Sequence, residues 1–192
     1  VIIGAGFDSF ALRREDLCKR MLSVFELDHP VSQNAKQNRL KQLRYILPEK
    51  HAFVGIDFEK EGLSEALAKS SYSRKQPAFF SWLGTVHYLT PQAVLNTLND
   101  IVACACPGSE LVLDYAGPEG IAGTSQERWA IKLKRFTDRR GEPILSMFTP
   151  DQFQKIISQA GFNLIENLSP SEQASRYFKL PDGTTLPMPS SY

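Results

Sequence analysis

The feature that most constrains this chain is an alternation that persists almost to its end, in which a short run of consecutive apolar residues is followed by a stretch with helical spacing. Strand-like runs read at Val1 to Ile3, Leu22 to Asp28, Ala52 to Asp57, Ala78 to Leu83, Glu110 to Asp114 and Phe162 to Leu168. Most are apolar on successive residues, the pattern of strands covered on both faces of a parallel sheet. Between them, Thr90 can cap a helix with Pro91 in its first position and one apolar stripe of Val94, Leu98, Ile101 and Val102. Thr149, Pro150 and Gln152 repeat that signature as a capping box, with Phe153, Ile156, Ile157 and Ala160 as the stripe and Gly161 as the stop. Further helices are expected at about 8–20, 31–47, 61–70 and 124–137. With no hairpin signal, the pattern predicts a single α/β domain over residues 1–192, a doubly wound, mostly parallel sheet with helices on both faces. Right-handed crossovers then place ligands beyond the carboxyl ends of the strands, near the point where strand order reverses.

Composition narrows the partners. Lys and Arg number 22 against 21 Asp and Glu, a net charge of +1, which gives no electrostatic reason to expect nucleic acid or an anionic membrane as the main partner, because phosphate neutralisation needs clustered Lys and Arg. No apolar stretch approaches the roughly 20 residues needed to cross a bilayer. The cysteines, Cys18, Cys104 and Cys106, are odd in number and lack metal-ligand spacing, which favours buried thiols, no metal, and a reducing cytoplasm.

The strand ends carry the chemistry. The first reads Gly4-Ala5-Gly6-Phe7-Asp8, and paired glycines let the backbone turn tightly and approach a ligand before an electropositive helix start. Ser9 stands where a dinucleotide fingerprint requires Gly or Ala, which weakens the case for NAD, and no Walker lysine follows. The second strand ends in Glu26-Leu27-Asp28-His29-Pro30. Glu26 and Asp28 share a face, and Asp28, nearer the tip, can accept from the vicinal hydroxyls of a ribose or cap the next helix. The third ends in Gly55-Ile56-Asp57-Phe58, where a carboxylate can accept from an exocyclic amine such as that of adenine while the next N–H donates to a ring nitrogen. The joint occurrence of these features points to a nucleoside cofactor more strongly than any of them alone.

GAGFDSFALR, FELDHP followed by a helix with Lys36 and Leu40, GIDFEKEGLSEAL, FSWLGTVHYLTPQAV and PGSELVLDY together resemble the S-adenosylmethionine-dependent methyltransferases related to leucine carboxyl methyltransferase. The resemblance runs over nearly the whole chain. It implies a class I methyltransferase fold that binds S-adenosyl-L-methionine, with Gly4 and Gly6 beside the methionine part, Asp28 on the ribose, and Asp57 with the Phe58 backbone at the adenine. Trp82-Leu83-Gly84 and Tyr88-Leu89-Thr90 match the bacterial O-methyltransferase branch. Leu83 replaces the Glu of the eukaryotic carboxyl methyltransferases, so the protein-phosphatase substrate is not carried over. The family's helical region before the first strand is not represented, since the sequence opens at Val1 rather than Met. An upstream segment and an incomplete last strand near Tyr192 are therefore expected.

The implied reaction is O-methylation of a carboxylate or hydroxyl on a small molecule or protein. An ionised carboxylate needs no base, whereas a hydroxyl does. His87, Tyr88 and Tyr115 are the polar groups expected near the methyl site, with packed loop residues as the favoured reading of each, so no residue is assigned as catalytic. His29 reads as a turn residue, His51 as a surface residue, and the basic run Lys132 to Arg140 as a solvated helix face. The rival readings are a cofactor-binding remnant without turnover and an NAD-dependent oxidoreductase.

Overall fold

Val24–Asp28 (β2) is buried over its first four residues and opens only at Asp28, because it has a strand on either side. Ile2–Ile3 (β1) pairs with it in parallel, Ile3 opposite Leu27, and His51–Gly55 (β3) flanks the other edge with Asp28 opposite Gly55. Phe79–Trp82 (β4) lies on the far side of β1, and Glu110–Leu113 (β5) follows it. The computed structural model describes residues 1–19, 22–117 and 143–185. Within them the sheet has five parallel strands in the order β3-β2-β1-β4-β5, as the alternating pattern predicts. Strand order reverses between β1 and β4, so the loops after these two strands flank the crevice where such folds take their ligands.

The chain divides into two compact units, Val1–Thr85 with Gln92–Leu113, and Val86–Pro91 with Asp114–Tyr192. The first holds the sheet. Ile3, Leu27, Phe80 and Trp82 are wholly inaccessible, as are Leu67 of Leu63–Ala68 (α4) and Val94 and Leu98 of Pro91–Cys104 (α5). Burying a side chain of this size contributes about 1.5–3 kcal/mol. Tyr72 closes one side of this core, its ring edge-on to Phe25 at 5.5 Å and its hydroxyl donating to the Cys104 carbonyl at 3.2 Å. The second unit contains a 3-10 turn at Val86–Tyr88 and the helices Pro150–Ala160 (α6) and Pro170–Tyr177 (α7). In α6 the expected capping box forms between Thr149 and Gln152, and Gly161 ends the helix at φ 98°.

Three expectations are corrected. The helix expected at 8–20 is split into Phe10–Arg13 (α1) and Glu15–Lys19 (α2). Glu15 and Asp16 begin α2, where carboxylates favour a new helix start over the middle of an old one. Residues 162–168 form no strand. Ile165 is 87% exposed, and without a neighbouring strand among the described residues an apolar run has no ladder to join. Directly after it, Ser169 and Glu172 form a second capping box that starts α7 with Pro170 in first position, a signal present in the sequence and not read. Finally, His51 is not a surface residue. Its side chain is 1% exposed, with Nε2 3.1 Å from Glu26 Oε1 but not aligned for a hydrogen bond. The helix expected at 124–137 and the basic run Lys132 to Arg140 lie outside the described residues.

Pro30–Gln42 (α3) has no continuous apolar stripe and buries Gln33, Lys36 and Leu40 instead. Lys36 Nζ is ion-paired with Glu26 Oε2, both side chains being almost inaccessible. Removing one partner of such a pair strands a charge in the interior. Lys36→Met alone is therefore expected to lower stability by about 3–5 kcal/mol in denaturant unfolding, and adding Glu26→Gln is expected to restore most of it. A second expectation concerns the β1 turn. Gly4 has φ +67°, and a Cβ there would lie 2.1 Å from Thr85 Oγ1. Gly4→Ala is expected to cost about 2–4 kcal/mol from left-handed strain plus overlap. Thr85→Gly is expected to recover part of that loss in the double variant, read as a coupling energy in the same unfolding assay.

Candidate cofactor-binding site

The sequence places its candidate residues at the ends of β1, β2 and β3, and the fold brings these ends to one edge of the sheet. After β1 the chain turns through Gly4 at φ +67° and Gly6 at φ +45°. The Ala5 N–H continues the strand pairing to the Leu27 carbonyl at 3.0 Å. The Gly6 N–H then leaves the ladder and donates to Asp28 Oδ2. Thus the first glycine is needed because Thr85 of the loop after β4 packs against it. The second faces open space, with no atom of the described residues within 4 Å of a would-be Cβ.

Asp28 ends β2 and does not cap α3. That role falls to His29, whose Nδ1 accepts from the Val31 N–H at 3.3 Å. Oδ1 of Asp28 accepts from the His29 N–H at 2.6 Å, so each carboxylate oxygen is oriented by one backbone donor. Each retains lone-pair capacity for another, which is what a pair of vicinal hydroxyls requires. Asp57 likewise does not cap the next helix, since α4 begins at Gly62 without a side-chain cap. It closes its own turn, with Oδ1 accepting from the Glu59 N–H at 3.1 Å and Oδ2 from Lys60 Nζ at 2.7 Å. The lysine hydrogen bond holds its carboxyl below the usual carboxylate range, so Asp57 is a firm acceptor. The Phe58 N–H beside it has no acceptor among the described residues, and the Phe58 side chain is half-buried.

One residue in this turn escaped the sequence reading. Asp8 Oδ1 accepts from the Phe10 N–H at 2.6 Å and so closes the start of α1. The helix start expected to be electropositive is therefore a four-residue helix already facing a carboxylate. Its signal was the Asp-x-Phe spacing of a side chain bonded two residues on.

The polar groups considered for the methyl-transfer step lie in the second unit. Burial pushes the His87 imidazole below its ordinary range, against the opposing pull of Asp114, and its ring packs on Tyr88 at 4.1 Å. Tyr115 is committed to packing: it stacks on Phe153 at 4.1 Å, and its hydroxyl accepts from Asn167 Nδ2 at 3.0 Å. Among the described residues, no helix is long and apolar enough to cross a membrane.

The open space over Gly6, the oriented Asp28 carboxylate and the unpaired Phe58 N–H fit a nucleoside with a flexible tail. Comparison with known proteins agrees with that chemistry. The profile of the family described as leucine carboxyl methyltransferase matches residues 1–102. A Bacillus subtilis protein named "Putative S-adenosyl-L-methionine-dependent methyltransferase YktD" is 30% identical over 93% of this chain and 58% of its own length. This chain therefore spans under two thirds of that relative. Among solved structures, the apo S-adenosylmethionine-dependent methyltransferase SibL superposes with a TM-score of 0.55 at 16% identity, over 88% of this chain and 45% of that one. A pericyclic reaction enzyme does so at 0.52 and 19% identity, over 83% and 36%, so at this distance the likeness shows the fold. The family follows from the profile match over more than half of the residues: the chain belongs to the leucine carboxyl methyltransferase family.

Proposed function

We propose that residues 1–192 serve as the cofactor-binding domain of an S-adenosylmethionine-dependent methyltransferase that methylates an oxygen, carboxylate or hydroxyl, of a small molecule or protein. The observation that carries this reading is the Asp28 carboxylate, held by the Gly6 and His29 N–H groups beside a glycine turn with open space above it. Family membership and the name of the Bacillus subtilis relative support it. The three free thiols suit a reducing cytoplasm.

When bound, the cofactor supplies a methyl group already activated on a sulfonium. The chain's own residues bind and orient. Asp28 accepts from the ribose hydroxyls with the lone pairs its backbone donors leave free, Asp57 accepts from the adenine amine, and the Phe58 N–H donates to a ring nitrogen. Gly4 and Gly6 turn the backbone beside the amino-acid tail: Gly4 makes room for Thr85, and the open space at Gly6 is left to the tail. A carboxylate acceptor is ionised at neutral pH and requires positioning and water exclusion alone. A hydroxyl acceptor requires a base.

Calorimetric titration with S-adenosylmethionine, S-adenosylhomocysteine and NAD tests the reading. Both sulfur compounds are expected to bind and NAD is not; binding of NAD alone overturns the proposal. Asp28→Ala is expected to weaken S-adenosylhomocysteine binding by about 1.5–3 kcal/mol, the loss typical of hydrogen bonds to a charged acceptor. Unchanged affinity in that variant removes the ribose assignment.

A further inference from the structure

The most unusual chemistry outside the candidate site is the buried charge cluster beneath α3. Glu26 is 2% exposed and Lys36 4%. One carboxylate oxygen of Glu26 pairs with Lys36 of α3, and the other lies 3.1 Å from His51 Nε2 at the start of β3. The ammonium also sits 5.9 Å from the centroid of Phe53, the residue opposite Glu26 in the β2–β3 register. One turn earlier on the helix, Gln33 Nε2 donates to the Glu26 backbone carbonyl at 3.2 Å. The cluster is sealed from solvent, so it takes no ligand. Its effect is on the elements that it joins.

Those elements carry the candidate cofactor contacts. Asp28 lies two residues beyond Glu26 on the same strand, and α3 begins at Pro30. Nothing but His29 separates the carboxylate from the helix, and the His29 N–H is one of the two donors that orient it. The Gln33 N–H bonds in turn to the His29 carbonyl at 3.0 Å. A helix translates and rotates as a unit, so its register over β2 sets where the His29 N–H points. An apolar stripe fixes that register loosely, because hydrophobic attraction is not directional. A buried ion pair and an amide fix it at defined atoms.

Resting on the cofactor reading above, we propose that Lys36 is a positioning residue for Asp28: its ion pair with Glu26 sets the register of α3 and so the orientation of the ribose-binding carboxylate. The pair touches no cofactor and acts through the His29 N–H. Replacing both charges by Glu26→Gln with Lys36→Met leaves no orphaned ion, so its stability cost is expected to lie well below that of removing one partner alone. A fold that survives the exchange while the site loosens separates positioning from general stability.

The experiment is a double-mutant cycle on the full chain, with S-adenosylhomocysteine affinity read by calorimetry and melting temperature read alongside. In the Asp28 background, Glu26→Gln/Lys36→Met is expected to weaken binding about tenfold with the melting transition retained. In an Asp28→Ala background the same exchange is expected to change affinity less than twofold, because the group it positions is gone. An equal loss in both backgrounds marks a purely structural role and overturns the proposal, as does no loss in either. If the Met variant does not fold, Glu26→Gln/Lys36→Gln, which keeps side-chain amides in the cluster, carries the same cycle and the same criteria. Failure of the unchanged chain to bind S-adenosylhomocysteine overturns the cofactor reading and this proposal with it. Binding that Asp28→Ala weakens but the charge exchange does not overturns this proposal alone.

Discussion

The constraint on which the rest of the structure depends is that, among the described residues, every strand of the sheet runs the same way. Parallel neighbours cannot be joined by a hairpin, so each connection must cross a face of the sheet before the next strand begins. All carboxyl ends therefore open on one edge, and segments far apart in sequence meet there. The turn after β1, the tip of β2 and the turn after β3 are brought together in this way. The reversal of strand order between β1 and β4 leaves the loops after these strands flanking one crevice. Thr85 against Gly4 is the contact at that point. The glycine there answers to the protein's own packing, while the glycine two residues on answers to open space.

Within that frame, α3 shows how a helix is attached where the usual means is missing. Its sequence, PVSQNAKQNRLKQ, offers Leu40 and little else to a hydrophobic core. The polar anchors are costly to desolvate, since a buried ion gives up its hydration and recovers it only with good geometry. Lys36 lessens that cost by burying its methylene stem and setting its ammonium near the Phe53 ring. Glu26 gives one oxygen to the lysine, and the other lies 3.1 Å from His51 Nε2. What the helix gains is a fixed register at the place where the strand ends in a carboxylate.

This division explains what the sequence disclosed. The positions of Asp28, Asp57 and the glycine turn at strand ends were legible because a loop at a strand end has local causes: a turn needs glycine, and a carboxylate at a tip is conspicuous among apolar neighbours. The α6 helix was legible for the same reason, its cap, stripe and stop all lying within a few residues of one another. His51 was not, because its burial comes from Glu26 on another strand, and a histidine flanked by Lys50 and Ala52 carries no trace of that. Residues 162–168 misled in the opposite sense. Their apolar run is a local signal for a strand, yet a strand exists only where another strand offers its backbone. The break between α1 and α2 and the start of α7 were written locally, in Glu15-Asp16 and in Ser169-Pro170-Ser171-Glu172. Both are capping signals, which hydrophobic spacing by itself does not register.

The choice between the proposed cofactor and a dinucleotide turns on charge at the first turn. Both ligands carry an adenine and a ribose, so Asp57, Phe58 and Asp28 do not separate them. What differs is the group that follows: a dinucleotide places an anionic pyrophosphate against a helix start, where free N–H groups and the helix dipole stabilise it. Here the helix after the turn spans only Phe10–Arg13, and its leading N–H is taken by the carboxylate of Asp8. A pyrophosphate at this place would meet a negative charge and a donor already engaged. S-adenosylmethionine brings no pyrophosphate to this turn: its tail carries a sulfonium, an α-ammonium and an α-carboxylate, so an engaged donor beside a carboxylate does not oppose it. Asp8 thus argues against a pyrophosphate by the same contact that closes the glycine turn, and Ser9 in place of the third glycine is consistent with a helix that does not have to approach one.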